Sequence, residues 1–147
     1  MNILISNNQD TLPINPSCVT PIVSSALKHM NATCAEISIQ FVTKEEIGIL
    51  HEDFFDDPSP TDCITFPIDP PGPEALLGEV FVCPEVAQEY AAEHGGDSQT
   101  ETILYICHGI LHLLGYDDIE EKDQKEMRKY EAFLMEHLKK ENLLHLS

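Results

Sequence analysis
The sequence predicts an α+β domain in which a mixed four-stranded sheet packs with about five helices, one of them buried at the centre. Three observations lead there. Segments of strand periodicity alternate with segments of helical periodicity along the chain. The loop between the third and fourth strand candidates is too short for a helical crossover, which makes those two antiparallel neighbours. The stretch from Ser98 to Asp118, SQTETILYICHGILHLLGYDD, is apolar on nearly every side, the pattern of a helix enclosed by its own domain.

In order along the chain, Asn2 to Ser6 is a short β-like run, followed by a polar, Pro-containing loop. Thr20-Pro21 predicts the start of a helix reaching about Met30, because Pro fits the first helical position, where its missing N–H is not needed. Ile37, Ile39 and Phe41 alternate with polar residues and read as a half-buried strand. Thr43 and Glu46 form a capping box for a helix that aligns Ile47, Leu50 and Phe54 and ends near Phe55, where DDPSP breaks it. Cys63 to Phe66 is the third strand, the DPPGP loop follows, and Leu77 to Cys83, rich in Val and Phe, is the fourth. Pro84 opens a short helix that closes at His94-Gly95-Gly96. Ser98 and Glu101 make a second capping box and Gly115 is a natural left-handed terminator, so the central helix has about four turns. A last, polar helix, capped by Asp118 or a neighbour, turns Met127, Tyr130, Leu134 and Leu138 toward the domain, and the tail beyond Asn142 is expected to fray.

Residues 1–147, 42% of them apolar, suffice for a single domain whose core needs no staples. There is no basic leader and no apolar run long enough for a bilayer, and the five Cys, without a C-x-x-C pair, read as reduced core residues. These features predict a cytoplasmic protein with no membrane attachment. Charge is more unusual: 26 acidic against 8 basic residues give a net charge of -18, which opposes non-specific attraction to nucleic acid or anionic lipid. Only Lys28 and Lys44 precede Lys122. Lys122, Lys125, Arg128, Lys129, Lys139 and Lys140 interleave with Glu121, Asp123, Glu126, Glu131, Glu136 and Glu141, as on a solvated helix face held by i,i+4 pairs. A polyanion has to be met by a metal or by this end of the chain.

The chemistry concentrates on the central helix. His108 and His112 are offset by about 40° in projection and one turn in height, so both rings can address one ion. Alone the pair means little, since chance supplies about 0.3 such pairs among 7 His. Its surroundings add a third ligand: Gly115 can turn the chain back, and Asp118, three residues on, can return a carboxylate. Two neutral imidazoles and a carboxylate are a sufficient set for a catalytic zinc with an open water position. The frame H-x-x-x-H-x-x-G-x-x-D matches the metzincin proteases, but Gly109 stands where they need a Glu as general base, so peptide cleavage is not the chemistry expected.

HGILHLLGYDD resembles the H-G-x-L-H-L-x-G-Y-D-H signature of the YbeY endoribonucleases, the bacterial rRNA maturation factors. PTDCITFP, Pro60 to Pro67, is similar to the family's P-T-D-V-L-S-F-P, and LGEVFVCP, Leu77 to Pro84, to its L-G-D-I-x-I-x-x segment. Together these blocks run from about Leu50 to Asp118 in the family's order. The resemblance implies a zincin-like fold, one zinc, and single-strand-specific cleavage of RNA. It also implies the setting, maturation of the 3′ end of small-subunit rRNA and ribosome quality control, with rRNA and the small ribosomal subunit as partners.

Two departures bear on mechanism. Asp118 stands where the family has its third His, and Phe55 where it has an Arg. Two His and an Asp carry one unit less positive charge than three His, which makes bound water less acidic and admits harder ions such as Mn²⁺ or Fe²⁺. The missing Arg is the obvious clamp for a phosphate. His51, in place of a family Asn, either faces the cleft or is an ordinary exposed helix residue, while Asp62 fixes a turn rather than moving a proton. On these terms a metal-bound water is the nucleophile and the general base is unassigned. RNA reaches it over a strip of Lys122, Lys125 and Lys129, or over a protein partner that supplies basic surface. The competing reading is a ribosome-associated factor whose metal is mainly structural; a hydrolase of a small or peptide substrate ranks behind both.

Overall fold
Nine elements follow one another in a computed structural model that describes residues 1–147. They are β1 (Asn2–Asn7), α1 (Pro16–His29), β2 (Glu36–Phe41), α2 (Lys44–Phe55), β3 (Cys63–Pro67), β4 (Leu76–Val82), α3 (Pro84–His94), α4 (Ser98–Leu113) and α5 (Glu121–Lys140). The sheet order is β1-β2-β4-β3, with β1, β2 and β4 parallel and β3 antiparallel to β4, as the short connection requires. Five helices on one mixed sheet make the single α+β domain that the pattern predicts. No helix is long and apolar enough to cross a membrane.

Period-two burial on β2 sends Ile37, Ile39 and Phe41 into the core, where Leu77, Val80 and Val82 of β4 join them. Over this surface lies α4, packed against β3, β4, α1, α3 and α5. Ile103, Ile106, Cys107, Ile110 and Leu111 are all fully buried on it. A second, small core of Val42, Ile47, Ile64 and Cys83 ties α2 to the sheet. All five cysteines are free, and burial raises the thiol pKa of Cys34, Cys63, Cys83 and Cys107, which keeps them protonated and inert.

Local signals misplace three boundaries. Helix α1 starts at Pro16, not Pro21: the Asn15 side chain accepts the Ser17 N–H at 3.0 Å, and fully buried Val19 pulls that first turn into the helix. Pro21 then sits inside α1 and forfeits one hydrogen bond, to the carbonyl of exposed Ser17, which water can satisfy. Helix α4 is capped by Asp97, whose carboxylate accepts the Thr100 N–H at 2.9 Å, and Ser98 is its first helical residue. Asp118 caps nothing, because α5 begins after Glu120 without a side-chain cap. The tail does not fray either. Leu146 is fully buried, its N–H donates to Gln99 Oε1 at 2.8 Å, and its carbonyl accepts from Asn15 N at 2.7 Å.

Contact between α4 and the sheet is close enough to dictate one residue. A β-carbon at Gly109 would lie 2.4 Å from Val80 Cγ1 and 3.0 Å from Cys63 Sγ. The position therefore faces the sheet, and the glutamate of a peptidase has no room there. Gly109→Ala is expected to lower unfolding stability by about 1–3 kcal/mol through overpacking. Urea denaturation of the purified variant measures this; an unchanged midpoint would show that the sheet yields freely at Val80.

Candidate metal centre
The end of α4 is built as a Schellman motif. Gly115 adopts φ +101°, its N–H donates to the His112 carbonyl at 3.0 Å, and the Tyr116 N–H donates to the Leu111 carbonyl at 3.0 Å. This reversal carries Asp118 back over the helix it has just left. The His108 and His112 Nε2 atoms stand 3.0 Å apart, Asp118 Oδ2 is 3.5 Å from His108 Nε2, and Asp118 Oδ1 is 3.7 Å from His112 Nε2. All three ligand atoms lie within 4.8 Å of one another. Donors about 2.0–2.1 Å from a tetrahedral zinc sit roughly 3.3 Å apart, so the observed separations bracket what that ion needs. Two imidazole nitrogens this close also require either a shared proton or a shared cation between them.

Behind the ligands the rings are held in place. His108 Nδ1–H donates to Glu131 Oε2 at 2.6 Å, which leaves Nε2 turned to the site. His112, half-buried one turn further along α4, turns its own Nε2 to the same point. Burial disfavours a charged His108, yet the hydrogen bond and charge of Glu131, with Asp62 and Asp118 adding to it, carry its pKa above the ordinary value. Burial, and then the charge of His108, hold His112 below its ordinary value. The opposite shifts describe two rings competing for one positive charge.

Two clefts meet at these residues. One, of about 390 Å³, is lined by Asp62, Tyr90, Glu101, Tyr105, Arg128 and Glu131 together with His108 and Asp118. The other, of about 250 Å³, runs from His112 past Cys63, Thr61 and Thr65 to His51 and Phe55. His51 thus lines a cleft. Asp62 is not seen to fix a turn: its carbonyl accepts the Cys83 N–H at 3.1 Å, continuing the β3–β4 pairing by one residue, and its side chain lines the larger cleft. Lys122, Lys125 and Lys129 line neither: Lys125 reaches Glu121 at 3.7 Å, and Lys129 Nζ lies 5.4 Å from the Tyr130 ring centre.

Two residues of the centre escape the sequence reading. Glu131, grouped there with the solvated face of the last helix, is buried on His108. Its signal was present, because Met127, Glu131, Leu134 and Leu138 form one stripe at helical spacing and only Glu131 is charged. Arg128, one turn earlier on α5, makes no ion pair and is the one basic residue lining the larger cleft.

Comparison with known proteins agrees with the motifs. A family model described as "Endoribonuclease YbeY" matches residues 4–139. An endoribonuclease YbeY of Protochlamydia amoebophila is 46% identical over 137 residues, covering 92% of this chain and 91% of the relative. One from Chlamydia pneumoniae is 37% identical over 150 residues, covering 98% and 95%. The solution structure of TM1509 from Thermotoga maritima superposes with a TM-score of 0.66 at 28% identity, over 95% of this chain and 90% of that one.

The Glu131 contact has a measurable consequence. Glu131→Gln is expected to weaken zinc binding about 10- to 100-fold, the usual effect of losing a carboxylate behind a histidine ligand. Competition against a chromophoric chelator reads it directly, and an unchanged affinity would reduce Glu131 to a space-filling role.

Proposed function
The chain belongs to the YbeY endoribonuclease family, and from that premise we propose that it cuts single-stranded RNA with a metal ion held by His108, His112 and Asp118. The observation that carries this reading is the convergence of those three ligand atoms, within 4.8 Å, at the meeting point of two clefts. Zinc is the proposed ion, and the two-His, one-Asp set also accommodates Mn²⁺ or Fe²⁺. When bound, the ion supplies Lewis acidity at a phosphodiester oxygen and lowers the pKa of a water. The proposed setting is maturation of the 3′ end of small-subunit rRNA and ribosome quality control in the cytoplasm, in line with the five free cysteines.

The protein's own residues do the rest. His108, fixed by Glu131, and His112, one turn along the same helix, keep two nitrogens aimed at one point. Asp118 contributes the negative charge that a dication balances. Arg128 is proposed as the phosphate contact, in the role vacated at Phe55, because its unpaired guanidinium lines the cleft that opens on His108 and Asp118. Lys122, Lys125 and Lys129 lie outside the clefts on the same helix, where they can lead a strand in. With a net charge of -18, rRNA on the small subunit is approached through these few bases and through a protein partner that supplies further basic surface. The rival reading, a ribosome-associated factor with a structural metal, fits less well: structural zinc sites close with four protein ligands, and here three stand beside an open cleft of about 390 Å³.

Cleavage of a single-stranded RNA is expected to stop with chelator and in His112→Ala; equal cleavage in every sample would overturn the proposal. Under the structural-metal reading, co-sedimentation with small subunits survives in a folded His108→Ala protein that no longer cleaves. For the bases, Arg128→Glu is expected to cut kcat/KM by roughly 10- to 100-fold, the worth of a charge-assisted hydrogen bond. Lys125→Glu with Lys129→Glu should instead weaken association and flatten its salt dependence. An unchanged salt slope in the double variant would remove the lysines from the RNA path.

A further inference from the structure
The larger cleft is accounted for by the metal and by Arg128, which leaves the smaller one, beyond His112, without a role. Its chemistry is distinct. No carboxylate lines it, whereas Asp62, Glu101, Asp118 and Glu131 all line the other. Three acids stand just outside it: Asp62, 3.5 Å from Thr61 Oγ1, Asp118, 3.7 Å from His112 Nε2, and Asp57, with Oδ2 3.9 Å from His51 Nδ1. With those acids outside its lining, part of a polyanion meets less repulsion on this side than in the larger cleft. At about 250 Å³ the space lies below the ~300–1,000 Å³ of sites for drug-sized ligands and suits a single ring system.

Two aromatic rings stand in it. His51 and Phe55, one turn apart on α2, have centroids 5.5 Å apart and planes tilted by 52°. Phe55 is 55% exposed, an apolar face presented within a cleft that leads to a metal-ligand candidate. His51 Nδ1–H donates to the Ser59 carbonyl at 2.9 Å, so the neutral ring carries its proton there and presents Nε2 as a bare acceptor. His112 belongs to both the ligand triad and this cleft. A phosphate at the triad therefore brings the adjoining base within reach of Phe55.

We infer that this cleft is a subsite for one nucleobase of the substrate strand, stacked on Phe55 and read at its edge by His51. The inference rests on the endoribonuclease reading above and adds a base preference to it. Every base has a face to stack, so Phe55 gives affinity without choosing. The choice lies with His51 Nε2. An acceptor there favours a base whose pairing edge carries an amino group, as in adenine, cytosine and guanine, over uracil, whose N3–H lies between two carbonyl oxygens. Unstacked bases are required, which accounts for a preference for single strands on the same geometry.

The test uses zinc-loaded protein and a short single strand carrying 2-aminopurine, whose fluorescence is quenched on stacking, read immediately after mixing. The wild type quenches, Phe55→Tyr quenches, and Phe55→Ala loses the quench with roughly a five- to hundredfold loss of affinity. His51→Ala keeps the quench and loses the preference for oligo(A) and oligo(C) over oligo(U) in competition. Equal quenching and affinity in Phe55→Ala would overturn the subsite, as would an abasic strand that binds as well as the labelled one. If Phe55→Ala binds strands normally but no longer co-sediments with small subunits, the ring serves a protein contact and the subsite is likewise overturned. RNA cleavage by the same preparations separates the two readings: cleavage indifferent to Phe55 rejects the subsite alone, and stacking without cleavage rejects the nuclease reading alone.

Discussion
A helix enclosed by its own domain that carries two imidazoles must find a partner for every ring nitrogen, and the architecture answers to that requirement. No fully buried side-chain nitrogen or oxygen lacks a partner in the structure. Glu131 reaches in from α5 and holds the His108 ring from the side away from the site, while the turn after α4 returns Asp118 to the Nε2 atoms of both rings. The close seating of α4 on the sheet at Gly109 fixes the other side. What is left pointing outward, two Nε2 atoms and a carboxylate, is a consequence of having satisfied everything else.

Electrostatics then favour a cation at the same point. Asp62, Glu101, Asp118 and Glu131 share a cleft with Arg128 as the one base, an excess of three formal negative charges around two histidines of opposite pKa shift. Such a site is badly matched to a phosphodiester until a dication neutralises it. On the proposed function, metal and substrate would be coupled through charge: an ion attracted by the carboxylates would also make the cleft acceptable to RNA. The Asp118 carboxylate favours the first half of that coupling and opposes the second, and Arg128 acts against the deficit.

Features written in contiguous residues were legible in the sequence. His108, His112, Gly115 and Asp118 fall within eleven positions, and helical geometry with one left-handed turn is enough to bring them together. The antiparallel pairing of β3 with β4 followed from a short loop. What escaped depends on rotations between elements distant in the chain. Glu131 meets His108 only because α5 packs against α4 in one particular orientation, and Arg128 enters the cleft by the same packing. Burial also overrode local caps: Val19 moved the start of α1 back to Pro16, and Leu146 drew the tail onto the domain. Periodicity on α5 contained the clue, a charge in an apolar stripe, yet its partner could not be named without the fold.

The Glu131–His108 bond also orders the protein's assembly in time. Glu131 is made 23 residues after His108, a lag of about 1–5 s at translation rates of ~5–20 residues per second. His112 and Asp118 follow His108 by 4 and 10 residues, so all three ligand candidates exist before the carboxylate that sets the ring of His108. An ion arriving early meets a looser, less selective set of ligands than one arriving after α5 has docked. The finished centre is therefore a late product of synthesis, complete only once α5 has docked on α4.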